Sequence, residues 1–413
     1  MCPFPEWDGE SIRNGSLLRG LAGRHAVTLV TRVRDGREQH ALERQRTLFQ
    51  DVHAFRFPQQ THGAIARRLA CAPRLWPLPV RVSAFCFQEI GLAVRSLAGS
   101  GRFDGVVLDH MALAYYLSFV PDRFDGLRIL NLHNLDSLLQ YRAAGLMRSR
   151  AMRLLAHADA MRMRMFEERL LGRFDAVFSA SNRESTLLRA RVPGLETIDV
   201  PNGVACVPHA AERDASRTSG RMLFVGTLNY LPNEDGILWF IENILPIIRH
   251  RLGHAVLTIV GHRPTPRLHR ALGPGIELHE SPERLADFYD RAAVAIVPLR
   301  AGSGSRHKIL EALASGVPVV STGVGAEGLD LRDGPHYCRA DTITAFAESV
   351  VRALQDERMG AAQVARALPL IRERYSWERI AGVASDGLDV LAARRAAARQ
   401  GLVSGNACSA PAG

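Results

Sequence analysis

The sequence predicts an α/β protein of two doubly wound domains facing a cleft. Three observations carry that expectation. Strand-length apolar runs alternate with helix-length amphipathic ones between residues 221 and 322. A looser form of the same alternation fills the first 200 residues. Between the two, Pro201-Asn202-Gly203 and a polar stretch reaching Gly220 mark a boundary. The 413 residues suit two or three domains of ordinary size. The expected division is 1–203, 204–374, a terminal helix over 375–395 and a disordered Ala-, Gly- and Ser-rich tail over 396–413.

In chain order, 11–24 reads as a helix with Ile12, Leu17, Leu18 and Leu21 apolar. Strands are expected at 26–30, 105–108, 128–132 and 176–179. Residues 60–100 look irregular around Trp76-Pro77-Leu78-Pro79. Residues 142–173 read as one or two Arg-rich helices with Leu and Met on the other face, which suits a core stripe or a membrane-facing one. In the second half, strands at 221–226, 256–261, 276–279, 294–297 and 317–322 alternate with helices at 233–249, 282–292 and 307–315, the last closed by Gly316. Units of this kind build a parallel sheet covered on both faces.

Composition narrows the function classes. Apolar residues at 47% and charged ones at 23% exclude a disordered chain. No apolar run approaches the ~18–20 residues of a membrane span. The first residues have neither the basic nor the apolar segment of a signal peptide. Six cysteines without a C-x-x-C pair argue against a zinc ribbon, a thioredoxin-type site and a disulfide framework, so a reducing cytoplasm is expected. The net charge is +10, and residues 1–200 carry 28 arginines against 20 acids. That excess points either to an anionic partner or to a compositional bias towards arginine. Lys308 is the one lysine in the chain. Nucleic acid is not an expected partner: no recognition motif occurs, and 7% aromatics give little stacking surface.

The most informative segment is Gly302-Ser303-Gly304-Ser305-Arg306-His307-Lys308, which joins the strand at 294–297 to a helix. A Gly-Ser-Gly loop opening a helix brings backbone N–H groups to an anion. Arg306 and Lys308 in the first turn oppose the helix dipole, a local cost that makes sense if a polyanion binds there. A plain turn with two solvated cations is the competing reading. Gly226-Thr227, Gly261-His262 and Gly302–Gly304 all follow strands of the second domain. They should therefore converge beyond the carboxyl edge of its sheet as a phosphate or nucleotide site. Neither a dinucleotide fingerprint nor a P-loop is present.

Residues 222–322 resemble the donor domain of a GT-B glycosyltransferase of the family 4 kind, with its two Rossmann-like domains. The resemblance rests on Phe224-Val225-Gly226-Thr227, Pro232-Asn233, the Gly-Ser-Gly loop with Arg306 and Lys308, and Ile309-Leu310-Glu311-Ala312-Leu313-Ala314. Gly316-Val317-Pro318-Val319-Val320-Ser321-Thr322 and Gly325-Ala326-Glu327-Gly328-Leu329 continue it. Pro5, Gly9, Ile12-Arg13 and Leu17-Leu18-Arg19 are similar to the family's first loop and helix. Tyr375-Ser376-Trp377-Glu378 resembles the start of the terminal helix that packs back on the N-terminal domain. The resemblance implies that Glu311 contacts the nucleotide ribose. It implies a second glutamate where Ser303 stands, a substitution shared with bacterial exopolysaccharide transferases. The family's basic pair after the first donor-domain strand is missing, so Arg306 and Lys308 are the substitutes expected at the diphosphate. His133, in Asn131-Leu132-His133-Asn134, resembles the family's His-Asp step near the donor sugar, with Asn134 in place of the Asp. The family also begins with a strand ahead of its Pro-rich loop, and the expectation is that the native start lies upstream.

The expected function is transfer of a sugar from a nucleotide-diphosphate donor to a polysaccharide or lipid-linked oligosaccharide. His133, Arg306 and Lys308 would act on the reacting groups. Gly226, Thr227, Gly261, His262, Gly302, Ser303, Gly304, Ser305 and Glu311 would hold the donor. The resemblance implies retention at the anomeric carbon, with no metal and no cofactor. The lack of an Asp-x-Asp agrees. The enzyme would work in the cytoplasm, its basic first domain facing an anionic acceptor or the inner membrane surface. The alternative is a degenerate GT-B scaffold that binds without turnover.

Overall fold

The structure, a computed structural model, describes residues 2–6, 8–57, 78–147, 149–205, 220–304 and 306–407. In the first half, β1 (Thr28–Val33) pairs with β2 (Asp51–Arg56), while β3 (Gly105–Asp109), β4 (Leu127–Asn131), β5 (Ala176–Ser179) and β6 (Thr197–Asp199) form a separate parallel sheet in that order. The helices are α1 (Gly9–Ala22), α2 (Gly36–Arg44), α3 (Val80–Ser83), α4 (Gln88–Gly99), α5 (Asp136–Gly145), α6 (Arg150–Leu171) and α7 (Asn182–Arg191). The strands read from the sequence are all present, with edges shifted by at most three residues. The stretch expected to be irregular over 60–100 contains α3 and α4, and its part over 58–77 lies outside the described residues. Strand β2 escapes the sequence reading because its side chains are mixed in polarity and mostly uncovered.

The second sheet has six parallel strands in the order β12-β11-β10-β7-β8-β9. They are β7 (Arg221–Thr227), β8 (Val256–His262), β9 (Ile276–Glu280), β10 (Val294–Val297), β11 (Val319–Ser321) and β12 (Cys338–Arg339). Every residue of β10 and β11 is buried, the pattern of strands covered on both faces. The helix expected over 233–249 is interrupted. α8 (Leu231–Trp239) passes through a π-turn (Phe240–Ile244) into α9 (Leu245–Arg251). Pro246 lacks the N–H that would continue the ladder, and the wider turn absorbs the loss. Then follow α10 (Pro266–Ala271), α11 (Ala286–Arg291), shorter than the helix expected over 282–292, and α12 (His307–Ala314). One core cluster joins α12 to β10 and β11, and another packs Phe224, Phe240 and Phe346 on the opposite face.

The chain ends in α13 (Ile343–Gln355), α14 (Glu357–Tyr375) and α15 (Trp377–Ala407). The tail expected to be disordered from 396 instead continues α15 to Ala407, and 408–413 lie outside the described residues. α15 crosses back onto the first domain. The Ala381 methyl fills the space left by the missing side chain of Gly20. Arg24 binds Asp386 at 2.7 Å and Asp389 at 3.0 Å, and Arg395 binds Asp175 at 2.8 Å. The two crossings between the domains touch each other: Val204 N–H donates to the Tyr375 carbonyl at 2.7 Å.

Arg13 ties this junction to the first sheet. Its side chain is almost wholly buried, and burial pushes its guanidinium pKa down to about 10. From α1 it donates to the Pro201 carbonyl at 2.9 Å, to Asn202 Oδ1 at 3.2 Å and to Asn131 Oδ1 at 2.9 Å. Arg13→Ala would leave those buried acceptors without their donor, at about 1–3 kcal/mol for an unsatisfied group. The expected outcome is an unfolding free energy, extrapolated from urea titration, lower by that amount. Arg13→Lys should restore little of it, since one ammonium cannot span three acceptors.

Candidate functional site

Strand order in the second sheet reverses between β7 and β10, and ligands of such sheets sit at the carboxyl ends of the strands flanking the reversal. The residues there converge. A Cβ on Gly226 would lie 3.0 Å from Lys308 Nζ and 2.8 Å from Asn233 Nδ2. Lys308 donates to Asn233 Oδ1 at 2.7 Å and stands 4.5 Å from the centre of the Phe224 ring. Asn233 in turn donates to the Thr227 carbonyl at 3.0 Å. Gly261 lies against the Gly226 carbonyl, where a side chain could not fit. His262 pairs with Thr227 across the ladder, and its Nδ1 is 2.7 Å from Ser281 Oγ.

Two cations meet at this point. Burial, with Arg306 adding to it, pushes Lys308 down to about 7. Burial also lowers Arg306, which folds back on the Ser303 carbonyl and leaves Nε and one terminal nitrogen without a hydrogen-bond partner. Among the described residues, neither cation hydrogen-bonds a carboxylate. Desolvated positive charge without a paired anion is costly, and a bound anion would remove the cost. The reading of these two as solvated residues on a plain turn is therefore corrected. Glu311 lies one turn further along α12 and accepts from Tyr289 OH at 3.1 Å; burial raises its pKa.

The Gly-Ser-Gly loop is not open. Gly304, at φ 76°, donates its N–H to Glu184 Oε1 at 3.0 Å, and Ser303 Oγ donates to the same oxygen at 2.7 Å. Glu184 belongs to the first turn of α7, in the other domain. The same oxygen accepts from Leu135 N–H at 2.9 Å. A carboxylate thus already occupies the donors expected to meet a phosphate. Arg142 of α5 spans the same gap, donating to the Gly302 carbonyl at 2.7 Å and to Glu327 at 2.5 and 3.1 Å; Arg183 also binds Glu327. Ser305 lies outside the described residues.

His133 faces this loop: a Cβ on Gly304 would be 2.7 Å from its carbonyl oxygen. Its Nε2 is 2.9 Å from Asp109 Oδ1. Asp109 also accepts from Asn131 at 2.7 Å and Asn14 at 2.6 Å. Burial would raise the Asp109 carboxyl, but His133, with His110 and other positive charge adding to it, holds the group well below the usual range. The ring of His110 stands edge-on to His133, with centroids 5.4 Å apart, and receives Arg81 at 2.6 Å. Burial, then Arg81, keeps His110 neutral. His110 has φ 81° and ψ 144°, a conformation that costs about 1–3 kcal/mol and collects at functional sites. Glu10 adds a carboxyl beside His133 and Arg81, raised by burial.

The sequence reading missed Glu10, Arg81, Asp109, His110 and Glu184. Asp109 and His110 could have been found, because they directly follow the strand expected at 105–108. Glu184 sits three residues after Ser181 and reads as an ordinary helix cap, as its backbone indeed is.

Residues 219–356 match the family "Glycosyl transferases group 1". Among curated proteins, an uncharacterized 44.6 kDa protein in the cps region of Klebsiella pneumoniae is 29% identical over 170 residues, 38% of this chain; the chain spans 43% of that protein. D-inositol 3-phosphate glycosyltransferase of Acidothermus cellulolyticus is 26% identical over 388 residues, covering 84% of this chain and 82% of that one. Sucrose-phosphate synthase from Thermosynechococcus elongatus superposes with a TM-score of 0.69 at 18% identity, over 95% of this chain and 97% of its own. Anabaena HepE in complex with UDP-glucose gives 0.63 at 13%, over 94% and 97%. The fold is therefore GT-B, and the group 1 match falls on its second domain.

The cross-domain contacts make a direct prediction. Glu327→Ala removes the carboxylate shared by Arg142 and Arg183. The free variant should show a larger radius of gyration than the wild type in small-angle X-ray scattering.

Proposed function

We propose that this GT-B chain, with its group 1 donor domain, transfers a sugar from a nucleotide-diphosphate donor to a glycan or lipid-linked oligosaccharide. The single observation that carries the reading is the pair of half-buried basic side chains, Arg306 and Lys308, at the reversal of the second sheet. They lie in the loop and helix that also face His133. The chemistry is a matter of charge. A nucleoside diphosphate gains negative charge as the bond to the sugar breaks, and preorganised cations stabilise it. Closure of the domains excludes water that would otherwise hydrolyse the donor. Asp109 holds His133 at the sugar end of the cleft, with the neutral His110 beside it. Glu311 meets the nucleotide ribose. Transfer proceeds with retention and without a metal. The relatives in the comparisons support a nucleotide-sugar donor, since HepE is described with UDP-glucose, and the cps-region relative suits an envelope polysaccharide acceptor. The first domain faces the acceptor.

Incubation with a panel of UDP-, GDP-, ADP- and TDP-sugars, following released nucleoside diphosphate, tests the reading. Release from one donor names the sugar, and Lys308→Ala should lower it by about 10²–10³-fold. No release and no thermal shift with any donor would leave a GT-B fold without turnover.

Lys308 gives a pH signature. Its folded pKa near 7 means that Lys308 itself is largely neutral in the free site at pH 8. A bound diphosphate raises that value, so binding takes up a proton and weakens as pH rises above 7. Calorimetry at pH 8 in buffers of different ionisation enthalpy should read an uptake of about one proton, abolished in Lys308→Met.

A further inference from the structure

The hairpin of α5 and α6 carries an apolar surface that the cleft does not use. Every buried residue of α6 lies at or beyond Ala160, so the first ten residues of the helix stand clear of the core. Of the eleven large apolar side chains that are most exposed among the described residues, six belong to this hairpin. They are Tyr141 (62% exposed), Met152 (54%), Leu154 (72%), Leu155 (64%), Met161 (58%) and Met165 (64%). Leu154, Met161 and Met165 share one stripe at i, i+7 and i+11. A concentration of this kind on one element marks an interaction surface.

The charge on the hairpin selects the partner. Residues 137–158 contain four arginines and no acid. Arg142 is turned inward to Glu327, and Arg153 folds over the Met147 carbonyl at the tip. Arg150 begins the helix and is exposed. A second copy of the same surface would bring arginines against arginines, which repels. Apolar side chains flanked by cations fit an anionic bilayer, where Leu and Met enter the acyl boundary and Arg meets the headgroups. No described helix is long and apolar enough to cross a membrane, so the contact is interfacial.

We propose that the first half of α6, led by Leu154 and Leu155, seats the protein on the surface of an anionic lipid bilayer. This deepens the reading of the first domain as the acceptor side and stands whether or not the donor site turns over. α5 also carries Arg142, the residue that reaches the Gly302 carbonyl, so a seated hairpin places the mouth of the cleft beside the lipid.

Co-sedimentation with vesicles tests it, using phosphatidylcholine with and without phosphatidylglycerol. The full chain should sediment with the mixed vesicles, at least about tenfold less with phosphatidylcholine alone, and lose binding in high salt. The double variant L154E/L155E should bind at least about tenfold more weakly, with the wild-type circular dichroism melt and the wild-type rate of nucleoside diphosphate release. Val390→Glu, an exposed apolar position on α15, should bind as the wild type does. The proposal is overturned if the wild type stays in solution with both vesicles, or if L154E/L155E sediments as well as the wild type. A dimer in light scattering that L154E/L155E dissociates would also overturn it, in favour of contact between copies. Vesicle binding and donor turnover are read separately, so failure of one leaves the other standing.

Discussion

One carboxylate holds the two halves of this molecule in register. Glu184 leaves the first turn of a first-domain helix and takes the hydroxyl of Ser303 and the N–H of Gly304 from the second. The contact is costly in isolation, because burial raises the Glu184 pKa and one of its oxygens has no hydrogen-bond partner. Its neighbours make it tenable. Leu135 N–H supplies a third donor, Arg306 adds positive potential, and Arg142 and Arg183 close a second bridge on Glu327. The position of His133 against the same loop depends on this seam. The geometry of the candidate site is thus a property of the two domains together, and neither carries it alone.

The charges in the cleft are arranged by what surrounds them. On the second-domain side, two basic groups are partly desolvated and, among the described residues, bound only to neutral oxygens. On the first-domain side, Asp109 is saturated with donors and stays anionic, while His110 is kept neutral. A site with positive charge at one end and a fixed, hydrogen-bonded imidazole at the other suits a substrate that is a polyanion at one end and a neutral sugar at the other.

Much of the second domain was legible in the sequence because its strands are buried on both faces. Runs such as Val294–Val297 can hardly be anything else, and the loops that follow them must gather at one edge. Glu311, Lys308 and the Gly-Ser-Gly loop could be placed at that edge for that reason, and the resemblance to GT-B enzymes rested on the same residues. The first domain was harder to read. Arg13, Asn131, Asn202 and Asp109 form one network but lie far apart along the chain, and no local pattern marks their meeting. Strand β2 was missed because an edge strand with uncovered side chains lacks an apolar signature. The final helix was cut short at 395 because alanine-rich sequence was taken for a tail, although alanine is the best helix former.

The chain passes between the domains twice, at 200–205 and again at 375–377, and the two passages are hydrogen-bonded side by side. A body held by a single tether can swing, twist and slide. One held by two adjacent tethers keeps mainly the rotation about the line through them. Trp377 thickens this joint, packing on Gly203 and standing 5.7 Å from the ring of His307, the first residue of the helix that carries Lys308 and Glu311. Opening of the jaw therefore works like a door on a pinned hinge. Each swing moves the cations of α12 along one fixed arc, towards His133 or away from it, so shutting requires no search for alignment.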